Sequence, residues 1–293
     1  MKKNYDIPKL TYLLFLLLGS QLTFAQTTLQ VVTKNIEKKF TGSTSLKVDA
    51  DKADIEIITW DKDEIKVNME LISKHPDRAV AKADLEVMKY VADKLEKEVV
   101  LRNYLLIQKG TQKPVSNFKA KYLIYMPENL EVTVLNNFGK VFIQGKYAQL
   151  NVKSEFCILD LQKTDANLKL DAYYGELHSK NLTGVITIKS ERSELFFQHL
   201  GGTNKINAQY GKVEIESVAN LKALSINASK AEISLKVPLQ NYGFSIVSKY
   251  GKVLVPESFN WIQNNSNTKS VTYNLSAATK ISIQNSFGNI SIN

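Results

Sequence analysis

The chain has 293 residues, 44% hydrophobic and 23% charged, which is ordinary for a folded protein and long enough for one large domain or two small ones. Its formal charge is +9, yet only Arg78, Arg102 and Arg192 among 38 basic residues are arginine, so the surplus reads as a lysine-rich solvated surface, and nucleic acid is not expected as a partner. The single cysteine, Cys157, excludes an internal disulfide framework and paired-cysteine metal spacing.

In chain order, Lys2, Lys3 and Lys9 precede an apolar run over 10–18, and Thr23-Phe24-Ala25 follows. That pattern predicts a secretory signal over residues 1–25, too short to span a bilayer, with Gln26 as the mature terminus. Removing three lysines and one aspartate lowers the charge from +9 by 2 to +7. No cysteine follows the run and no other long apolar stretch exists, so neither a lipid anchor nor a transmembrane anchor is expected in the mature chain. The expected location is the periplasm, the outer-membrane surface or the extracellular space.

Residues 26–128 read as an N-terminal part and 129–293 as a regular array. Leu46, Val48, Ala50, Ala53, Ile55 and Ile57 alternate as a first rung, Trp60-Asp61-Lys62-Asp63 as a turn, and Ile65, Val67 and Met69 as another strand. A short helix is expected after Pro76-Asp77, then strands over 85–107 broken near Ala92-Asp93-Lys94. This insertion is expected to cover one end of the array.

Within the array one phrase recurs. Ala208-Gln209-Tyr210-Gly211-Lys212-Val213 and Ser248-Lys249-Tyr250-Gly251-Lys252-Val253 are two copies, and others centre on Phe138-Gly139, Phe156-Cys157, Tyr174-Gly175, Arg192-Ser193, Lys230-Ala231 and Phe287-Gly288. Taking the second residue of each centre as a pivot, the spacings are 18, 18, 18, 18, 20, 20 and 37. A near-constant period of this size means stacked units, none of which buries its apolar face alone. Seven and five residues before each pivot, and two and four after it, the columns are apolar except at Asn204 and Ser179. Three before it stand only Asn, Ser or Ala, as a tight inward corner requires. The doubled last spacing implies one more rung, supplied by Val271, Tyr273 and Leu275 after a loop over 256–269.

The expected fold is all-β: a parallel β-solenoid, a single-stranded β-helix right-handed by the crossover rule, with about 18–20 residues per rung and a small α/β insertion near the N-terminus. The competing architecture is a sandwich of hairpins turning at each aromatic-Gly pair.

Stacking turns sequence columns into rows. Phe138, Phe156, Tyr174, Tyr210, Tyr250 and Phe287 form an aromatic ladder with Arg192 and Lys230 inserted, mainly structural, though rings also suit sugars. On the outward face, Glu176 is expected beside Glu194 and Asp160 beside His178, with Arg192 close by. Two carboxylates near 5 Å suit a retaining glycosidase, and an imidazole with carboxylates suits a divalent metal. A charge-paired exposed sheet accounts for the same residues, so no catalytic, metal or cofactor site is assigned. Nucleophile-elbow, phosphate-loop and His-Glu-x-x-His motifs are absent.

Phe24-Ala25-Gln26, Leu46-Lys47-Val48, Asp54-Ile55-Glu56-Ile57-Ile58-Thr59-Trp60 and the repeated Asn-Phe-Gly and Gln-Tyr-Gly rungs resemble the adhesin-like β-solenoid family of Bacteroidota, envelope proteins of unknown function. The resemblance implies a secreted, non-enzymatic protein and no catalytic residues. The expected role is a cell-envelope scaffold or adhesin-like surface that binds an envelope polysaccharide or another envelope protein. The alternatives are a carbohydrate-active enzyme using Asp160, Glu176, His178 and Glu194, and a periplasmic sensor coupled to an anti-sigma partner.

Overall fold

The computed structural model describes residues 28–293, and the expected leader, 1–25, lies outside the described residues. The N-terminal part contains β1 (Gln30–Thr41), β2 (Ser45–Asp51), β3 (Ala53–Trp60), β4 (Glu64–His75), helix α1 (Arg78–Leu85), β5 (Met88–Leu95), β6 (Glu98–Leu105) and β7 (Asn117–Pro127). A regular run follows: β8 (Glu131–Tyr173), β9 (Glu176–Glu191), β10 (Glu194–Gln198), β11 (Leu200–Ile215) and β12 (Val218–Leu235). The C-terminal end contains β13 (Tyr242–Lys249), β14 (Val253–Leu254), β15 (Asn260–Asn264), β16 (Thr268–Tyr273), β17 (Thr279–Ser286) and β18 (Ile290–Ile292). The eighteen strands among the described residues join one hydrogen-bonded network.

In the regular run the pairing is parallel. Leu159 sits opposite Leu177, Leu177 opposite Leu195, Leu195 opposite Val213, and Ile188 opposite Ile206, each 18 residues on. Ile206 then meets Ile226 and Val213 meets Ile233, at a step of 20. Hairpins would pair antiparallel, so the sandwich alternative is excluded. Alternation sends the two apolar columns inward from both arms of each coil, and nearly every member is buried, forming one continuous core. Burying one such Leu, Ile or Val contributes about 1.5–3 kcal/mol. Of the two polar exceptions, Asn204 is buried with its Nδ2 donating to Gly201 O at 2.9 Å, and Ser179 is buried with its hydroxyl unpartnered.

The first rung stacks on the array as its columns imply: Leu46 meets Val132 and Ile57 meets Ile143. Beyond it the sheets continue through β6 on β2 and β7 on β3, both parallel, and then reverse. β5 pairs antiparallel with β6, β4 with β7, and β1 with β4. The break between β5 and β6 falls at Glu96-Lys97, where Glu96 has φ 56°, rather than near Ala92-Asp93-Lys94. Helix α1 is where Pro76-Asp77 placed it, with Asp77 Oδ1 accepting from the N–H of Ala79 at 2.7 Å.

At the other end the order of coils departs from expectation. β17 and β18 pair with β12 on one side, Ile226 with Ile283 and Ile233 with Ile290, and with β13 and β14 on the other, Ile246 with Ile283 and Val253 with Ile290. The coil of pivot 288 therefore lies between those of pivots 231 and 251. No extra rung comes from Val271, Tyr273 and Leu275: β16 runs antiparallel to β13 on its outer side, and Leu275 is exposed. The expected loop over 256–269 holds β15, antiparallel to β16. A 37-residue gap here encloses a capping hairpin, not a coil.

In spatial order the pivots read Ala53, Gly139, Cys157, Gly175, Ser193, Gly211, Ala231, Gly288 and Gly251. Glycine thus alternates with a residue that has a Cβ until the last coil. Close approach is the reason: a Cβ on Gly175 would lie 2.2 Å from Cys157 O, and one on Gly211 2.0 Å from Ser193 O. Two of the other pivots use their side chains. Cys157 Sγ donates to Asn136 O at 3.4 Å, and Ser193 Oγ to Ala172 O at 3.3 Å. Cys157 is buried, as a small packing residue should be, and burial pushes its thiol pKa up.

Candidate functional site

Two rows of side chains follow from this register. The first is the corner ladder, in spatial order Lys52, Phe138, Phe156, Tyr174, Arg192, Tyr210, Lys230, Phe287 and Tyr250. Phe138 stacks on Phe156 at 5.0 Å and Phe156 on Tyr174 at 5.0 Å, both nearly parallel. Arg192 lies over Tyr174 at 5.4 Å and over Tyr210 at 5.6 Å, and Lys230 covers Tyr210 at 5.0 Å. Phe287 and Tyr250 close the row, stacked at 5.0 Å. Every one of these nine residues has a left-handed backbone, with φ between 51° and 61°. That conformation costs a side-chain-bearing residue roughly 1–2 kcal/mol, and each stacking or cation–π contact returns about 1 kcal/mol. The aromatic is at this position because its ring can rest on the next coil and offset the strain. Sequence reasoning found the ladder but missed its backbone and its ninth member, Lys52; a bulky residue directly before a small one, at every pivot, was the available signal.

Stacking also limits what the ladder can bind. A sugar ring binds an aromatic face, and Phe156, Tyr174 and Tyr210 each have a ring or cation from both neighbouring coils against them.

The second row is the outward face after the pivots. Register sets Glu176 beside Glu194, and His178 between Asp160 and Phe196. His178 Nε2 lies 2.9 Å from Glu176 Oε2, its ring stacks on Phe196 at 5.0 Å, and Asp160 accepts from Gln162. Lys212 adjoins Glu194 in register, pairs with Glu214 at 2.5 Å and covers the Phe196 ring at 5.3 Å. The Glu214 hydrogen bond raises the Lys212 pKa. Arg192 points into the ladder. Asp160, Glu176, His178, Arg192 and Glu194 are therefore neighbours, but spread over an open face. The depression at this level, about 330 Å³, is lined by His178 and Phe196 and by neither Glu176 nor Glu194. Among the described residues no group of three or more His, Cys, Asp or Glu side chains is arranged to hold a metal ion. A general acid needs a partner across a reacting bond in an enclosed site. Here Glu176 is committed to an imidazole on its own strand.

A family model described as Toastrack DUF4097 matches residues 43–293, from the first rung to the last residue. The chain belongs to the Toastrack family. No curated protein matches it. Among solved structures, a protein of Parabacteroides merdae provisionally named an adhesin is 11% identical, with 90% of this chain and 96% of that chain covered and a TM-score of 0.43. One of Parabacteroides distasonis provisionally named a lipid binding protein is 13% identical, with 89% and 96% covered and a TM-score of 0.39. One of Clostridium sporogenes provisionally named a cell adhesion protein is 14% identical, with 89% and 99% covered and a TM-score of 0.24. The family match agrees with the resemblance carried by the rung phrases. No helix among the described residues is long and apolar enough to cross a membrane.

Proposed function

We propose that this Toastrack protein is exported and serves as a non-enzymatic surface of the cell envelope, binding an envelope polymer along one face of a right-handed, single-stranded β-solenoid of 18–20 residues per coil. In this reading residues 26–128 cap the array of 129–293. One observation supports it most: parallel register sets outward side chains in straight rows of fixed spacing along the whole stack, for example Ile158, Glu176, Glu194 and Lys212. A repeating partner meets such a surface in register, whereas a small substrate finds no enclosed site there. The test is a glycan array on the exported chain together with cell fractionation. The reading predicts retention of an envelope polysaccharide and recovery in the envelope or medium. Glycan release that Glu194→Gln abolishes would replace it with a hydrolase.

A further inference from the structure

A concavity of about 860 Å³ lies away from both rows, on the outer face at the N-terminal end. It crosses β1, β4, β7, β3 and the start of β8, so it runs along the stack and at right angles to the strands. Four strand spacings make it roughly 19 Å long, the length of a short oligosaccharide.

Leu123 and Phe142, both half-buried, contribute its apolar surface. Phe142 differs from every ring of the corner ladder and from Phe196, because no ring or cation stacks on it among the described residues. Its charges are mixed. Three lining carboxylates are already paired: Glu37 with Lys66 at 3.1 Å, Asp54 with Lys119 at 2.6 Å and Glu70 with Lys121 at 3.2 Å. Glu56 and Lys140 line the same groove, and neither forms a salt bridge among the described residues. Counting Lys66 and Lys119, the four carboxylates face four ammonium groups, so the groove is neutral on a chain of net charge +9.

We infer that this groove binds an uncharged glycan chain, with a sugar face on Phe142 and hydroxyls on Glu56 and Lys140. This deepens the polymer-binding reading and rests on it. Three features select the ligand. Neutrality gives no attraction to a polyanion or polycation. A peptide laid across strands has no free strand edge to pair with, so strand addition cannot hold it there. A pyranose instead presents an apolar face and polar hydroxyls together, matching an unstacked ring beside one free acceptor and one free donor.

The probes are cellotetraose and the N-acetylglucosamine tetramer, with oligogalacturonate and tetralysine as charged controls, titrated calorimetrically into the exported chain. One or both neutral tetramers should bind. Phe142→Ala should weaken that binding at least tenfold, and Glu56→Gln about three- to tenfold. Glu56 is exposed and unpaired, so its variant keeps the parent melting temperature and guards against misfolding of the Phe142 variant. Equal binding of either charged control would overturn the inference, as would neutral-tetramer affinity indifferent to both substitutions. If neither tetramer binds while isolated envelope polysaccharide still does, the groove assignment falls and the polymer-binding role stands. If nothing binds, both fall.

Discussion

The middle of the stack and its C-terminal end are built from the same phrase and assembled differently. From Gly139 to Ala231 each coil lies on the one before it, so sequence order and spatial order coincide. Beyond Ala231 the chain leaves one layer empty, forms the coil of Gly251, turns through β15 and β16, and returns to fill the layer with Gly288. Equivalent columns therefore identify what lies in a coil but not which coil lies next to it. Each coil is specified by its own apolar columns and corner, and the Gly288 coil packs in the same column register against the coil of Ala231 and that of Gly251. Order along the stack is set by connections, here a 37-residue excursion that doubles as the cap.

The largest expected effect comes from removing the inserted coil. Truncation after Ala278 deletes Ile281, Ile283, Ile290 and Ile292, all buried, with a loss of roughly 6–12 kcal/mol at about 1.5–3 kcal/mol each. Hydrogen exchange should show residues 242–273 unprotected, while strands from β8 to β11 stay protected, because stacked units depend chiefly on their neighbours. Uniform loss of protection over the whole array would remove the distinction between the two regions.

Next in size are the pivots. Gly211→Ala forces a Cβ against Ser193 O and should cost about 3 kcal/mol or more in urea unfolding, whereas Ala231→Gly should cost about 1 kcal/mol. Equal costs would mean that the Gly alternation has no packing origin.

The ladder sharpens the comparison further. Tyr174→Gly loses its stacking but relieves the left-handed strain, so its net change should stay within about 1 kcal/mol. Tyr174→Val keeps the strain, adds β-branching and loses the ring, and should cost about 2 kcal/mol or more.

Much of this was legible in the sequence. The apolar columns gave the faces, and the Asn, Ser and Ala positions three before each pivot gave the corner. Those positions are inside, and in two of them the Nδ2 donates across coils, Asn136 to Ala53 O at 2.9 Å and Asn285 to Ala231 O at 2.8 Å. The left-handed residue was hidden because Phe, Tyr, Arg and Lys are not the residues that normally signal it, and only stacking makes them tolerable. The place of Gly288 was hidden because periodicity has no term for order. The acidic row was readable by register, which put Glu176 beside Glu194 on the outward face, while the His178 contact with Glu176 runs along one strand and was missed because the columns compare residues on neighbouring strands. The groove at Phe142 draws on five strands from two parts of the chain, with no shared motif.

The smallest expected effect is at alkaline pH. Burial raises the pKa of the Cys157 thiol and of the Tyr147 and Tyr122 phenols, and Tyr122 Oη donates to Asn103 Oδ1 at 2.9 Å. A raised folded-state pKa means that each group's contribution is complete below its unfolded pKa and is lost as pH rises through the folded value. Stability should hold up to about pH 8.5, the ordinary thiol range, and fall above it. Cys157→Ser should move the start of that fall to about pH 10, where the phenols begin.

The arrangement at the C-terminal end is tested most directly by engineered disulfides in a Cys157→Ser background. Asn289 Nδ2 donates to Glu232 Oε1 at 3.3 Å, so Glu232→Cys with Asn289→Cys lies on adjacent strands, within bridging distance. Glu232→Cys with Lys252→Cys is separated by the intervening coil, two strand spacings or roughly 9.6 Å. The 232–289 pair should oxidise quantitatively to an intramolecular bridge and the 232–252 pair should remain reduced. Efficient bridging of 232 with 252, and none of 232 with 289, would contradict the inserted coil.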